Sequence, residues 1–119
     1  MNEQLKFLIL LFYYERPEIV KGALESIAAS HYKNYEVVFI DDSDYDPRIV
    51  PRGEELFYNL KLGMDGRYRY INTMDTQEKK NARGGSRFGE FANVAMLNSD
   101  ADVVIPLCDD DRLTPWYLG

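Results

Sequence analysis

The sequence predicts an α/β domain built on a mostly parallel sheet with helices on both faces, and three observations carry that reading. Leu5 to Phe12 is a nearly continuous apolar run broken only by Lys6, the pattern of a strand covered on both sides. Ile19, Val20, Ala23, Leu24, Ile27 and Ala28 follow at helical spacing, and Tyr35 to Ile40 then forms a second β-rich run. Strand, helix and strand in that order imply parallel pairing through a right-handed crossover.

The elements can be justified in turn. Pro17 suits the first turn of the first helix, where its missing N–H costs nothing. Asn34 breaks the helical pattern, and the second strand runs into Asp41-Asp42-Ser43. Asp44 to Gly53, with Pro47 and Pro51, reads as a turn-rich loop. Glu54 to Leu62 reads as a short helix with Leu56, Phe57 and Leu60 on one side, and Arg67 to Asn72 alternates like a half-buried strand. After a polar stretch, Phe88, Phe91, Ala92, Ala95 and Met96 share one helical face, and Asp102 to Cys108 gives the last strand. There is no internal repeat and no low-complexity segment.

Composition narrows the class. The 119 residues make one domain, with 45% hydrophobic and 29% charged residues, as in ordinary globular chains. A net charge of -6 and a pI near 4.7 argue against a nucleic-acid binder. The longest apolar stretch, Phe7 to Tyr14, falls far short of the roughly 20 residues of a membrane span, and no small-residue cleavage site follows it. A cytoplasmic location is the default expectation. The single Cys108 cannot form an internal disulfide, in keeping with a reducing compartment.

In sheets of this kind ligands bind beyond the carboxyl ends of the strands. The unusual polar groups cluster there: Glu15 and Arg16 after the first strand, Asp41 and Asp42 after the second, and Asp109-Asp110-Asp111 after the last. Adjacent carboxylates repel unless a cation sits among them, and hard divalent ions take oxygen ligands. The triplet is therefore expected to hold Mg²⁺ or Mn²⁺, which in turn holds a phosphate; the plain alternative is a charged turn. A basic cluster, Lys79, Lys80, Arg83 and Arg87 around Gly84-Gly85, matches a diphosphate in charge and geometry. Its plain alternative is a solvated loop ahead of a helix. Asp41 can accept from a nucleobase N–H while Tyr13 or Tyr14 offers an aromatic face, or the acidic pair can simply cap a turn, with Asp42 forming an Asx-turn.

Several stretches together carry a resemblance. Leu11-Phe12-Tyr13-Tyr14-Glu15-Arg16-Pro17-Glu18, Ala23-Leu24-Glu25-Ser26-Ile27, and Tyr35 through Asp41-Asp42-Ser43 resemble the start of the family 2 nucleotide-sugar glycosyltransferases, which have the Rossmann-like GT-A fold. Ala92-Asn93 to Ala95 and Asp102 through Pro115 look like that family's helix and strand leading into its Asp-x-Asp metal motif. Four such motifs in order cover almost the whole chain. The resemblance implies that Asp41, with Asp42 beside it, contacts the base, typically uracil, and that Phe12, Tyr14 and Glu15 line the same pocket. It implies that Arg83 or Arg87 lies near the diphosphate. The ribose and metal contacts are Asp109 and Asp110 in one register; in the other, Asp109 and Asp111 hold the metal. Glu15 stands where the family usually has Asn, Phe12 where it has Pro or Thr, and Ser43 where it has Gly.

Thr114-Pro115 is a helix-start signal with only four residues after it. The expectation is a donor-binding part that ends before the acceptor-binding half, with the catalytic general base beyond Gly119. The implied reaction is inverting transfer of a sugar from a nucleotide diphosphate, most simply a UDP-sugar, to a hydroxyl acceptor, with Mn²⁺ or Mg²⁺; the chain alone is expected to turn over little. The alternatives are a non-catalytic α/β assembly or nucleotide-binding module, self-associating through an open sheet edge, and a nucleotidyltransferase. The last class normally carries a glycine-rich turn after the first strand, and Tyr13-Tyr14-Glu15-Arg16 has no glycine. His31 is placed at the end of the first helix, near its carbonyl end.

Overall fold

The computed structural model of the chain describes residues 5–49, 52–114 and 117–118. The elements run β1 (Phe7–Tyr13), α1 (Pro17–Ala28), β2 (Tyr35–Asp41), α2 (Arg52–Asn59), a 3-10 turn (Leu62–Met64), β3 (Tyr68–Asn72), α3 (Gln77–Arg83), α4 (Phe88–Leu97) and β4 (Val103–Cys108). The four strands form one sheet in the order β3-β2-β1-β4, and every pairing is parallel. The carboxyl ends of all four strands therefore lie on one edge, with Tyr13 opposite Asp41, Phe12 opposite Cys108, and Asp41 opposite Asn72.

Strand periodicity splits the core in two. Phe7, Ile9, Leu11 and Tyr13 of β1 face α1 and α2 with Val37 and Phe39, while Leu8 and Leu10 face α4 with Val38 and Ile40. Both faces of the central strands are thus covered, which is why β1 and β2 read as unbroken apolar runs. Helix α1 starts on Pro17 and buries Val20, Ala23, Leu24 and Ile27. Ile19, expected on that face, is 46% exposed. His31 lies exposed beyond the end of α1 rather than within its last turn.

Two expectations need correction. The polar stretch around Lys79 is not a loop: it is α3, started by Thr76, whose hydroxyl accepts from the Lys79 N–H, and ended by Gly84 at φ 88°. That left-handed conformation is open to glycine at no steric cost. Its short length and charged surface hid the helix from hydrophobic periodicity. Helix α2 also begins before Glu54, and Leu60 lies beyond its end and is exposed. Pro115 and Trp116, the expected start of a further helix, lie outside the described residues. Finally, β4 is an edge strand, so Val103 and Val104 remain 39% and 37% exposed despite their apolar character.

Candidate functional site

The site lies where β1, β2, β3 and β4 all end. After β1 the chain turns through Tyr14-Glu15-Arg16. Glu15 sits at φ 45°, a left-handed conformation that Asn or Gly adopts more easily than Glu, and its N–H donates to Ser43 Oγ at 2.9 Å. This hydrogen bond ties the ends of β1 and β2. Across the other flank, Arg16 forms a bidentate ion pair with Asp109, whose Oδ2 also accepts from the Tyr14 N–H at 3.3 Å. The Asp109 side chain is 3% exposed, so the first carboxylate of the acidic triplet is turned inward onto the β1 turn.

Asp110 and Asp111 behave differently. Both are exposed, and their carboxylate oxygens lie with the Cys108 sulfur within 4.8 Å of one another. The turn is closed by the Asp111 N–H donating to the Cys108 carbonyl at 3.0 Å and the Cys108 N–H donating to Asp111 Oδ2 at 3.1 Å. Partial desolvation and then the carboxylates of Asp111, Asp110 and Asp109 push the Cys108 thiol up, so it is protonated at neutral pH. Two carboxylates at one exposed turn fit a hard divalent cation by their donor chemistry.

At the end of β2, Asp41 is fully buried. Its Oδ1 accepts from the Ser43 N–H at 2.9 Å and its Oδ2 from the Tyr70 hydroxyl, which in turn accepts from Asn72 Nδ2 at 3.0 Å. The Asx-type turn thus belongs to Asp41 rather than to Asp42. Burial, and then the hydrogen bond to Asp41, pushes the Tyr70 phenol well above its ordinary value. Gly53 of α2 packs directly on Asp41: a Cβ there would fall on the carboxylate and stand 3.0 Å from Tyr13 Cε2. Beside this network a cleft is lined by Tyr45, Arg48, Glu54, Asn72 and Met74.

Asp42 is the hub of a second network. Its Oδ1 accepts from the Thr73 hydroxyl at 2.6 Å and its Oδ2 from the Ser86 hydroxyl at 2.7 Å, while Lys80 Nζ stands 3.0 Å from Oδ2. Lys80 also donates to the Asp42 carbonyl at 2.6 Å and lies 4.6 Å from the centroid of the Tyr14 ring. The basic segment is therefore largely self-compensated. Lys80 pairs with Asp42, Arg83 with the buried Asp75, and Arg87 with Glu90 at 2.6 Å. The Arg83 guanidinium holds the Asp75 carboxyl below its ordinary value. Arg83, Gly84, Gly85, Ser86, Arg87 and Glu90 line a small cleft of their own.

The structure brings Tyr14, Glu15, Asp41, Asp42, Asp109, Asp110 and Asp111 to one edge, with Arg83 and Arg87 on the segment tied there through Asp42. Phe12 is set apart from them: its ring packs edge-on against Phe88 of α4, centroids 4.9 Å apart, as part of the core on the α4 face of the sheet. Sequence reasoning placed Arg16 at this edge but gave it no role, and it gave none to Tyr70, Asn72, Thr73 or Ser86. The polar alternation of Tyr70 and Asn72 at a strand end was the available signal.

A four-stranded parallel sheet in the order β3-β2-β1-β4, flanked by helices on both faces and carrying its polar groups at the carboxyl edge, is a Rossmann-like α/β architecture, in which ligands bind beyond the carboxyl ends of the strands. No protein-family model matches the chain, and no curated protein sequence matches it. Solved structures do. The 1–349 fragment of S. aureus TarS matches over 93% of this chain and 29% of its own at 19% identity and TM-score 0.64. S. aureus TarS matches over 94% and 18% at 20% identity and TM-score 0.67. The mannosyltransferase PcManGT from Pyrobaculum calidifontis, in complex with GDP-Man and Mn²⁺, matches over 89% and 28% at 15% identity and TM-score 0.62. These neighbours are glycosyltransferases, and the chain has the GT-A-like fold of their N-terminal part. It spans less than a third of the length of each of these structures.

Proposed function

We propose that this chain is the donor-binding part of a glycosyltransferase, taking a nucleotide-diphospho-sugar with Mn²⁺ or Mg²⁺ for inverting transfer to a hydroxyl acceptor. The observation that carries the reading is the convergence at one sheet edge of a base-sized aromatic group, buried acidic hubs and an exposed carboxylate pair. The likeness of fold to a mannosyltransferase solved with GDP-Man and Mn²⁺ supports it.

The residues divide the work. Tyr14 offers the ring and Asp41 the carboxylate for the base; because Asp41 is engaged by Ser43 and Tyr70, a base reaches it by displacing the Tyr70 hydroxyl. Asp110 and Asp111 hold the cation, with Asp109 kept on Arg16. That arrangement favours neither register of the motif as read, since both gave Asp109 a ligand contact. When bound, the cation acts as a Lewis acid that stabilises the departing diphosphate. Arg87 is the guanidinium most readily offered to phosphate, because its pair with Glu90 is exposed and such pairs are worth about 0–1 kcal/mol. Arg83 would have to abandon a buried carboxylate.

Calorimetry of the chain with UDP and Mn²⁺ tests this reading. UDP should bind only with the metal, and both Asp110→Ala and Asp41→Asn should lose binding while the fold is retained. Metal-independent binding, or none, contradicts it. A second reading, a non-catalytic assembly module, draws on the edge strand β4, whose apolar Val103 and Val104 are exposed. Concentration-dependent size without nucleotide binding supports that alternative instead.

A further inference from the structure

Lys80 is the one member of the basic cluster whose side chain is buried, at 9% exposure, and its surroundings engage it. An ammonium has three N–H donors. One direction is taken by Asp42 Oδ2 at 3.0 Å, a second by the Asp42 carbonyl at 2.6 Å, and the ring of Tyr14 lies 4.6 Å away in centroid distance. Two of the three donors are thus held within the fold, and the buried ammonium rests against the ring. Tyr14, by contrast, is 37% exposed at the carboxyl edge, so the ring that rests on Lys80 is also open to solvent.

We propose that Lys80 is a positioning residue of the nucleotide pocket: anchored by Asp42, it orders the Tyr14 ring as a stacking surface and ties α3, with the Gly84–Arg87 turn, to the end of β2. The inference rests on the donor-binding reading above and adds a residue and a mechanism to it. Asp42 is shared by Lys80, Ser86 and Thr73, so the same carboxylate fixes the start of α4, the end of β3 and the middle of α3. A nucleobase stacking on a ring already held in place loses less freedom on binding than one that must order a mobile side chain. A cation resting against the ring supplies that order.

The test is a double-mutant cycle on UDP and GDP binding in the presence of Mn²⁺, read by calorimetry alongside thermal melting. Lys80→Met alone leaves the Asp42 carboxylate buried without its cation, so the Asp42→Asn/Lys80→Met variant, which removes both charges, keeps the measurement usable if the single variant unfolds. Against Asp42→Asn, the added Lys80→Met should weaken nucleotide binding about tenfold. Tyr14→Leu should lose a similar factor, and Lys80→Met on top of Tyr14→Leu should lose nothing further. Lys80→Arg, which keeps a cation against the ring, should retain most of the affinity. In the NMR spectrum the Lys80 Hε resonances should be shifted upfield by the ring and return towards ordinary values in Tyr14→Leu. If the parent chain binds UDP or GDP but the losses at positions 80 and 14 are additive, or Lys80→Met changes only the melting temperature, the inference is overturned and the donor-binding reading stands. If the parent chain binds neither nucleotide, both fall together.

Discussion

Arg83 and Arg87 are four residues apart and carry the same guanidinium, yet their partners give them different parts. Arg83 neutralises Asp75, which is buried and also accepts from the Thr76 N–H. Arg83→Ala strips that carboxylate of its cation and should cost about 1–2 kcal/mol in chemical denaturation, the penalty of a buried acceptor left short of partners. Arg87 is bound to the exposed Glu90 and rests on the Phe91 ring at 5.1 Å. Arg87→Ala should leave stability within about 0.5 kcal/mol. If Arg87 meets the diphosphate, the same substitution should weaken UDP binding several-fold, whereas Arg83→Ala should act on stability first. Sequence alone could not separate the two, because which arginine has a buried counter-ion depends on how α3 folds back over Asp75.

Two of the helical glycines, one in α1 and one in α2, make a matched pair at the scale of elements. Gly22 in α1 faces the end of the Arg112 side chain, with a Cβ 2.8 Å from Arg112 Cζ, and Arg112 is exposed and free to swing away. Gly22→Ala should therefore raise stability, by up to about 1 kcal/mol from helix propensity. Gly53 in α2 faces the buried carboxylate of Asp41 and the Tyr13 ring, neither of which can retreat. The same change there should cost about 1–3 kcal/mol by overpacking, which outweighs the propensity gain. Thermal melts of the two variants should move in opposite directions. The strands and α1 were legible because their burial writes continuous apolar or 3.6-residue patterns into the chain. Helix α3 was not, since Gln77–Arg83 buries only the lysine at position 80 and is held by Thr76, Gly84 and ion pairs rather than by an apolar stripe. The convergence of Asp41 and the acidic triplet was readable from parallel topology; the inward turn of Asp109 was not, because it depends on Arg16 meeting it across two strands.

Over the whole molecule, the net charge of -6 means that an anionic nucleotide approaches an unfavourable field and gains most when a divalent cation comes with it. The same carboxylates set the acid limit of the fold. Asp75 is held down by Arg83, Asp65 by Arg67, and Asp46 by Arg48 to about 2, against an ordinary value of 3.8. Their contribution is complete above that ordinary value and disappears as the pH falls through the depressed folded values. Stability measured by denaturant titration should accordingly be flat between pH 7 and 5 with respect to these groups and drop steeply below pH 4, with Arg83→Ala showing a shallower drop. The sheet supplies the common edge, and the ion pairs decide which groups at that edge stay available to a ligand. The most direct measurement of that claim is paramagnetic broadening of the amide NMR spectrum by sub-stoichiometric Mn²⁺, with and without UDP. The account predicts broadening centred on Asp110 and Asp111, sharpened by UDP and accompanied by shifts at Tyr14 and Arg87. Broadening spread over the acidic surface and unaffected by UDP would contradict it.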